Sequence, residues 1–187
     1  DYLSTISAMV TANGRLFYII DETPSGISVP RGDWHLTSRD AFNGKLLWKR
    51  SIEEWGGKTW TGKPQWRFNN LMHIMKRLVA RGDRVYATLG FNAPLTALDG
   101  ATGKTLKTYQ GTQYTSEILF HNNNLILSVN QEKQEPGRSA KKPPVKKRVV
   151  CINSDSGKIK WQQGNFTGIS VKSDSSERIT SLSLIAG

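Results

Sequence analysis

Leu36-Thr-Ser-Arg-Asp40-Ala-Phe-Asn-Gly44-Lys-Leu-Leu-Trp48 places a Gly four residues after an Asp, a Lys directly behind it, and a Trp four residues beyond the Gly. Two later stretches read alike: Leu95-Thr-Ala-Leu-Asp99-Gly-Ala-Thr-Gly103-Lys-Thr-Leu-Lys107 and Val149-Val-Cys-Ile-Asn153-Ser-Asp-Ser-Gly157-Lys-Ile-Lys-Trp161. The lead residues Asp40, Asp99 and Asn153 are 59 and 54 positions apart. A pattern that returns at such a period marks a repeat architecture. An Asp or Asn side chain can accept from the backbone amides just ahead of it and so nucleate a turn. Gly44, Gly103 and Gly157 can adopt the positive φ that ends it.

Upstream of each copy lie two short apolar runs joined by a turn dipeptide: Asn13-Gly14, Gly82-Asp83 and Asn122-Asn123. Such dipeptides tolerate positive φ, which a two-residue hairpin needs. The flanking Val, Ile, Leu and Tyr are strand formers. One unit is therefore four strands in an up-and-down meander. Without insertions it has about 40 residues, the length of one β-propeller blade.

This pattern, an apolar hairpin followed by Asp-x-x-x-Gly-Lys-x-x-Trp, resembles the pyrroloquinoline-quinone-type (PQQ-type) propeller repeat over roughly residues 5–163. The resemblance implies an all-β fold in which Trp48 and Trp161 stack on a neighbouring blade. The middle copy departs from it, with Lys107 in the Trp position and Tyr109 available to fill the gap. The blades are expected at about 5–52, 76–111 and 116–163, with the first strand of a further blade at about 178–187. Three blades fall short of the four to eight that close a propeller. We read the chain as about three blades of a seven- or eight-bladed propeller, with self-association into a ring as the second possibility. The chain opens without Met or an apolar leader, and Ile179 to Gly187 aligns with the start of a fourth unit. Both features fit an excerpt. The resemblance also implies an exported, periplasmic or otherwise extracytoplasmic bacterial protein.

Three insertions interrupt the repeat, and loops on a rigid scaffold are where binding residues concentrate. Glu22 to Asp33 reads as a lengthened hairpin loop punctuated by Pro and Gly. The second, 53–75, holds three of the six Trp residues. Trp55, Trp60, Trp66, Arg67 and His73 form a candidate rim for a ligand or protein partner, since Trp and Arg are favoured at hot spots. The competing reading packs these aromatics onto the blades. Apolar residues at 71, 74, 75 and 78 have helical spacing and suggest a short helix before the next strand. The third insertion, 131–148, has seven Lys or Arg against two Glu and no aromatic residue, which suits a disordered basic loop.

The net charge is +11, and about half of it sits in that loop. Base stacking needs aromatic side chains, so the chain does not read as a dedicated nucleic-acid binder. No apolar run is long enough for a transmembrane segment. The single cysteine, Cys151, excludes an intrachain disulfide and reads as a small buried hydrophobe. His35, His73 and His121 lie apart, without Cys or acidic partners at metal-ligand spacing, so the sequence offers no metal or catalytic residue. Serine-hydrolase and phosphate-loop motifs are absent. The resemblance implies that quinoprotein dehydrogenases use a catalytic Asp, a calcium held by acidic and amide side chains, and often a Cys-Cys pair. This chain has no such pair, and none of its residues matches those ligands. The favoured expectation is a non-catalytic binding or scaffold module of a larger protein, partnered by a protein or by further blades and without a cofactor of its own. An outer-membrane assembly lipoprotein shares the repeat in this way. The alternative is a fragment of a PQQ-dependent alcohol or sugar dehydrogenase, with PQQ and calcium in the complete propeller.

Overall fold

The computed structural model describes residues 5–23, 33–53, 55, 75–131, 146–167, 170–173 and 176–179. These form three four-stranded antiparallel sheets, each a consecutive meander. The first contains β1 (Thr5–Ala12), β2 (Arg15–Asp21), β3 (Trp34–Asp40) and β4 (Leu46–Ser51). The second contains β5 (Leu78–Arg81), β6 (Arg84–Thr88), β7 (Leu95–Asp99) and β8 (Thr105–Thr108). The third contains β9 (Thr115–His121), β10 (Asn124–Asn130), β11 (Lys146–Asn153) and β12 (Ile159–Thr167). A short hairpin, β13 (Ser170–Ser173) with β14 (Ser176–Ile179), follows. Strand β1 touches β5 and β5 touches β9, so the first strand of each blade lies toward a common axis. The fold is all-β, built from propeller blades.

The turns repeat atom for atom. The Oδ1 of Asp40 accepts from the amides of Phe42 and Asn43, that of Asp99 from Ala101 and Thr102, and that of Asn153 from Asp155 and Ser156. Each turn is closed by the glycine amide donating to the lead residue's carbonyl, at 3.0, 2.8 and 2.9 Å. Gly44, Gly103 and Gly157 have φ of 73°, 71° and 77°. The hairpin dipeptides behave as their composition requires: Asn13, Gly14, Gly82, Asn122 and Asn123 all have positive φ.

Side-chain alternation then divides the core into two inter-blade layers. Val85 and Ala87 of β6 face the first blade, where they meet Phe17, Ile19 and Leu36. Tyr86, between them in sequence, faces the third blade and packs with Ile118, Leu125, Leu127, Val150 and Ile152. The middle blade is thus buried on both faces, and its strands lose the polar alternation of a half-exposed sheet.

The outer strand locks each junction. The Trp48 indole lies over Gly103 and donates its Nε1–H to the Gly100 carbonyl of the second blade at 2.9 Å. Tyr109 takes this role at the next junction. Its hydroxyl donates to the carbonyl of Ser154, the counterpart of Gly100, at 2.5 Å, and its ring edges Gly157. Lys107, in the Trp position, lays its chain beside Gly157 and donates to the Asp155 carbonyl. Trp161 is 48% exposed, and most of the further blade expected to meet it lies outside the described residues.

Ion pairs bridge the same junctions. Arg15 pairs with Asp83 at 2.9 Å and Arg84 with Asp155 at 2.5 Å. The Arg15 hydrogen bond, seconded by Asn13, holds the Asp83 carboxyl below its usual range, and Arg84, seconded by Asn123, does the same for Asp155. Because the folded-state pKa is the lower one, this stabilisation is fully present above the ordinary value of 3.8 and is lost as pH falls below it. Melting temperature is expected to drop between about pH 5 and pH 3, and less steeply in the Asp83→Asn, Asp155→Asn double variant. An acid limb of unchanged slope in that variant would assign the loss to other groups.

Two boundaries differ from the sequence reading. Strand β11 begins at Lys146, so Lys146, Lys147 and Arg148 belong to a sheet and not to the basic loop. Pairing supplies the reason: Lys146 faces Thr167, and Arg148 donates to the Gly111 carbonyl at 2.8 Å. The expected helix near 71–78 is, among the described residues, a 3-10 turn at Met75–Arg77, and Leu78 already pairs with Ala87 in the sheet. The loop residues 132–145, the segment 56–74 and the expected further strand beyond Ile179 lie outside the described residues.

Candidate functional site

The hairpins at residues 13–14, 82–83 and 122–123 and the Asx-Gly turns all lie at one end of the blades. Backbone bonds tie them pairwise, Ala41 to Gly14, Gly100 to Asp83 and Ser154 to Asn123. The strands bounding all three insertions therefore end at the opposite edge: Asp21 and Trp34, Ser51 and Leu78, Asn130 and Lys146. The three insertions thus attach at that one edge, and buried charge collects beneath it.

Arg77 is the centre of that charge. It is 1% exposed, and its guanidinium lies 5.8 Å from the centroid of the Trp55 ring and 5.5 Å from that of Phe91. Its Nη1 donates to the Phe91 carbonyl at 2.8 Å. Burial pulls its pKa down to about 9, so it stays protonated at neutral pH. Glu117 is buried at the start of β9, with the Lys76 ammonium 3.8 Å from its Oε1. Lys147 is buried at the start of β11. Burial pushes its ammonium below the usual range, Lys76 and Arg77 push the same way, and Glu117 opposes them. Lys76 thus pairs with the Glu117 carboxylate, and Lys147 feels the charges of Glu117, Lys76 and Arg77 together.

Of the five rim candidates, the structure places Trp55, and it places it in the core between the first two blades. The Arg77 guanidinium over its ring makes it a packing residue. Trp60, Trp66, Arg67 and His73 lie outside the described residues. Sequence reading missed Arg77, Glu117 and Lys147. Arg77, directly before β5, and Glu117 of β9 hold equivalent repeat positions, and repeat alignment would have set them side by side.

At the same edge, Glu22, Asp33 and His35 bring one ligand atom each within 4.8 Å of one another. The sequence reading found no acidic partners for the histidines at metal-ligand spacing, and the fold brings these two near His35. The β2–β3 pairing causes it, bringing Glu22 beside Asp33, with the Glu22 amide donating to the Asp33 carbonyl. Lys49 already pairs with Glu22, and His35 Nδ1 lies 3.2 Å from the Asp33 carbonyl. The cluster clasps the root of the first insertion. His121 meets Asn122 at 2.8 Å, as a satisfied surface histidine does. Cys151 is buried in β11 as a free thiol. A cleft of about 510 Å³ opens between β5 and the β9–β10 hairpin, lined by Val79, Arg81, Phe120 and His121. It lies at the turn end, away from the charge cluster. Among the described residues no helix is long and apolar enough to cross a membrane.

No protein-family model and no curated protein matches the chain. Among solved structures it is similar to a europium-containing methanol dehydrogenase, with a TM-score of 0.49 and 14% identity over 86% of this chain and 26% of that one. It is also similar to the quinohemoprotein alcohol dehydrogenase from Comamonas testosteroni, with a TM-score of 0.46 and 15% identity over 84% of this chain and 20% of that one. The chain spans about a quarter or less of the length of these two enzymes.

Proposed function

We propose that this chain is a non-catalytic, PQQ-like propeller module that serves as a binding or scaffold domain of a larger, extracytoplasmic bacterial protein. The observation that carries the reading is the single edge to which all three insertions attach, underlain by Arg77, Lys76, Lys147 and Glu117. Long loops rooted on rigid blades make an adaptable recognition surface.

The residues present do not suit the quinone and its calcium. The Trp55 ring lies in the core under the Arg77 guanidinium, which the Phe91 carbonyl engages. Glu117 is held against Lys76, and the chain has one cysteine, without the Cys-Cys pair that several such enzymes carry. The test is to add PQQ with calcium, follow tryptophan quenching, and assay dye reduction with short alcohols. Neither quenching nor turnover is expected. Turnover would favour the dehydrogenase fragment instead.

A further inference from the structure

The cleft between β5 and the β9–β10 hairpin lies between two successive blades, at the end opposite the insertions. Its volume of about 510 Å³ is that of an ordinary small-ligand pocket. Repeat alignment shows what sets this junction apart. The first hairpins are closed by the pairs Ala12 with Arg15, Arg81 with Arg84, and His121 with Asn124. Ala12, Arg81 and His121 are therefore equivalent, as are Thr11, Ala80 and Phe120 directly before them. At the first junction these levels are met by Ala12 from the first blade and Ala80 from the second, and both pack against the first inter-blade core. At the second junction the same two positions are Arg81 and Phe120, and both line the cleft. A cation on one wall and an aromatic ring on the other replace two alanines.

Arg81 is exposed and has no hydrogen bond or ion pair among the described residues. The acids of the neighbouring turns, Asp83 and Asp155, are already held by Arg15 and Arg84. The Arg81 fork is thus left for an outside acceptor, and a guanidinium matches a carboxylate with two parallel bonds. The Asn122 amide nitrogen donates to His121 Nε2 at 2.8 Å, which puts the proton of the neutral ring on Nδ1 and makes it a second donor. The Asn123 side chain is fixed, donating to Asp155 and accepting from Ser154. Phe120 packs on Tyr86 with ring centroids 5.7 Å apart, and with Val79 it supplies the apolar surface. No acidic residue lines the cleft.

We propose that this cleft binds a small carboxylate carried on a ring, with the carboxylate on Arg81 and the ring against Phe120 and Val79. A bare anion would use the cation and leave the apolar wall wet. A neutral ring would leave the guanidinium without its acceptor. The site is separate from the insertion edge and stands or falls without it.

Titrating phenylacetate into the isotope-labelled whole chain, followed by amide NMR, tests this. Acetate lacks the ring and benzyl alcohol lacks the charge, so both serve as comparators. Phenylacetate is expected to bind with a Kd of about 1 mM or tighter, and each comparator at least about tenfold more weakly. The shifted amides should be those of Val79, Arg81 and residues 120–123. Arg81→Gln should weaken phenylacetate at least about tenfold while the circular dichroism spectrum stays native. Phe120→Ala should shrink its advantage over acetate. Lys104→Gln removes an exposed cation outside the cleft and should leave the affinity unchanged. The absence of saturating shifts at about 10 mM phenylacetate overturns the proposal. So does wild-type affinity in Arg81→Gln, acetate binding as tightly as phenylacetate, or a loss in Lys104→Gln equal to that in Arg81→Gln. If Phe120→Ala loses its spectrum, Arg81→Gln and the acetate comparison decide.

Discussion

Gly103→Val is expected to cost roughly 2–5 kcal/mol of folding stability, the sum of a left-handed backbone forced on a side chain and an overpacked contact. Gly103 sits at φ 71°, where an L-residue is strained and a β-branched one more so. The added Cβ would also stand 2.7 Å from Cδ2 of Trp48, inside any tolerable contact, and the indole cannot retreat without breaking its bond to the Gly100 carbonyl. Gly44 supplies the control. Its φ is 73°, yet its Cβ position is empty, so Gly44→Val should cost only the backbone share, about 1–2 kcal/mol. Denaturant melts of both variants check this. Equal losses would mean that Trp48 does not press on Gly103.

The second large effect belongs to Trp48. Its ring packs against the first inter-blade core, 6.0 Å from the Phe17 centroid, and carries one of the hydrogen bonds joining the blades. Trp48→Ala should cost about 3–5 kcal/mol, as loss of a large packed aromatic does. Trp161 has the same place in the repeat but a different environment. At 48% exposure, Trp161→Ala should cost about 1 kcal/mol or less. Chemical denaturation at low protein concentration separates the two. Equal costs would show that exposure is not what distinguishes them.

These two residues also show what a sequence can reveal of such a fold. The Asx-Gly turns were legible because their chemistry is local: an acceptor side chain, two amides and a glycine lie within five residues. The hairpins were legible for the same reason. Whether an indole is buried depends on what the neighbouring blade presents to it, which is why Trp48 and Trp161 read alike and differ in space. The bridging pairs were illegible, since Arg15 and Asp83 are 68 residues apart and Arg84 and Asp155 are 71 apart. Tyr109 was visible as a substitute for Trp only because repeat alignment left a gap to fill. The candidate site was hidden more deeply. Arg77 lay in a segment whose apolar spacing suggested a helix, and the strand beginning at Leu78 overrode that spacing. Lys147 was concealed in a basic run whose composition reads as a loop, although cross-strand pairing with Phe166 draws it into the sheet.

The account stands on one contact, the indole of the first blade lying over the glycine turn of the second. Isotope-edited NMR of the chain, selectively labelled at tryptophan and glycine, measures it directly. Strong cross-peaks from the Trp48 ring to the Gly103 α-protons, with an indole N–H protected from solvent exchange, are predicted. A freely exchanging Trp48 N–H without a cross-peak to Gly103 would contradict the stacked-blade arrangement.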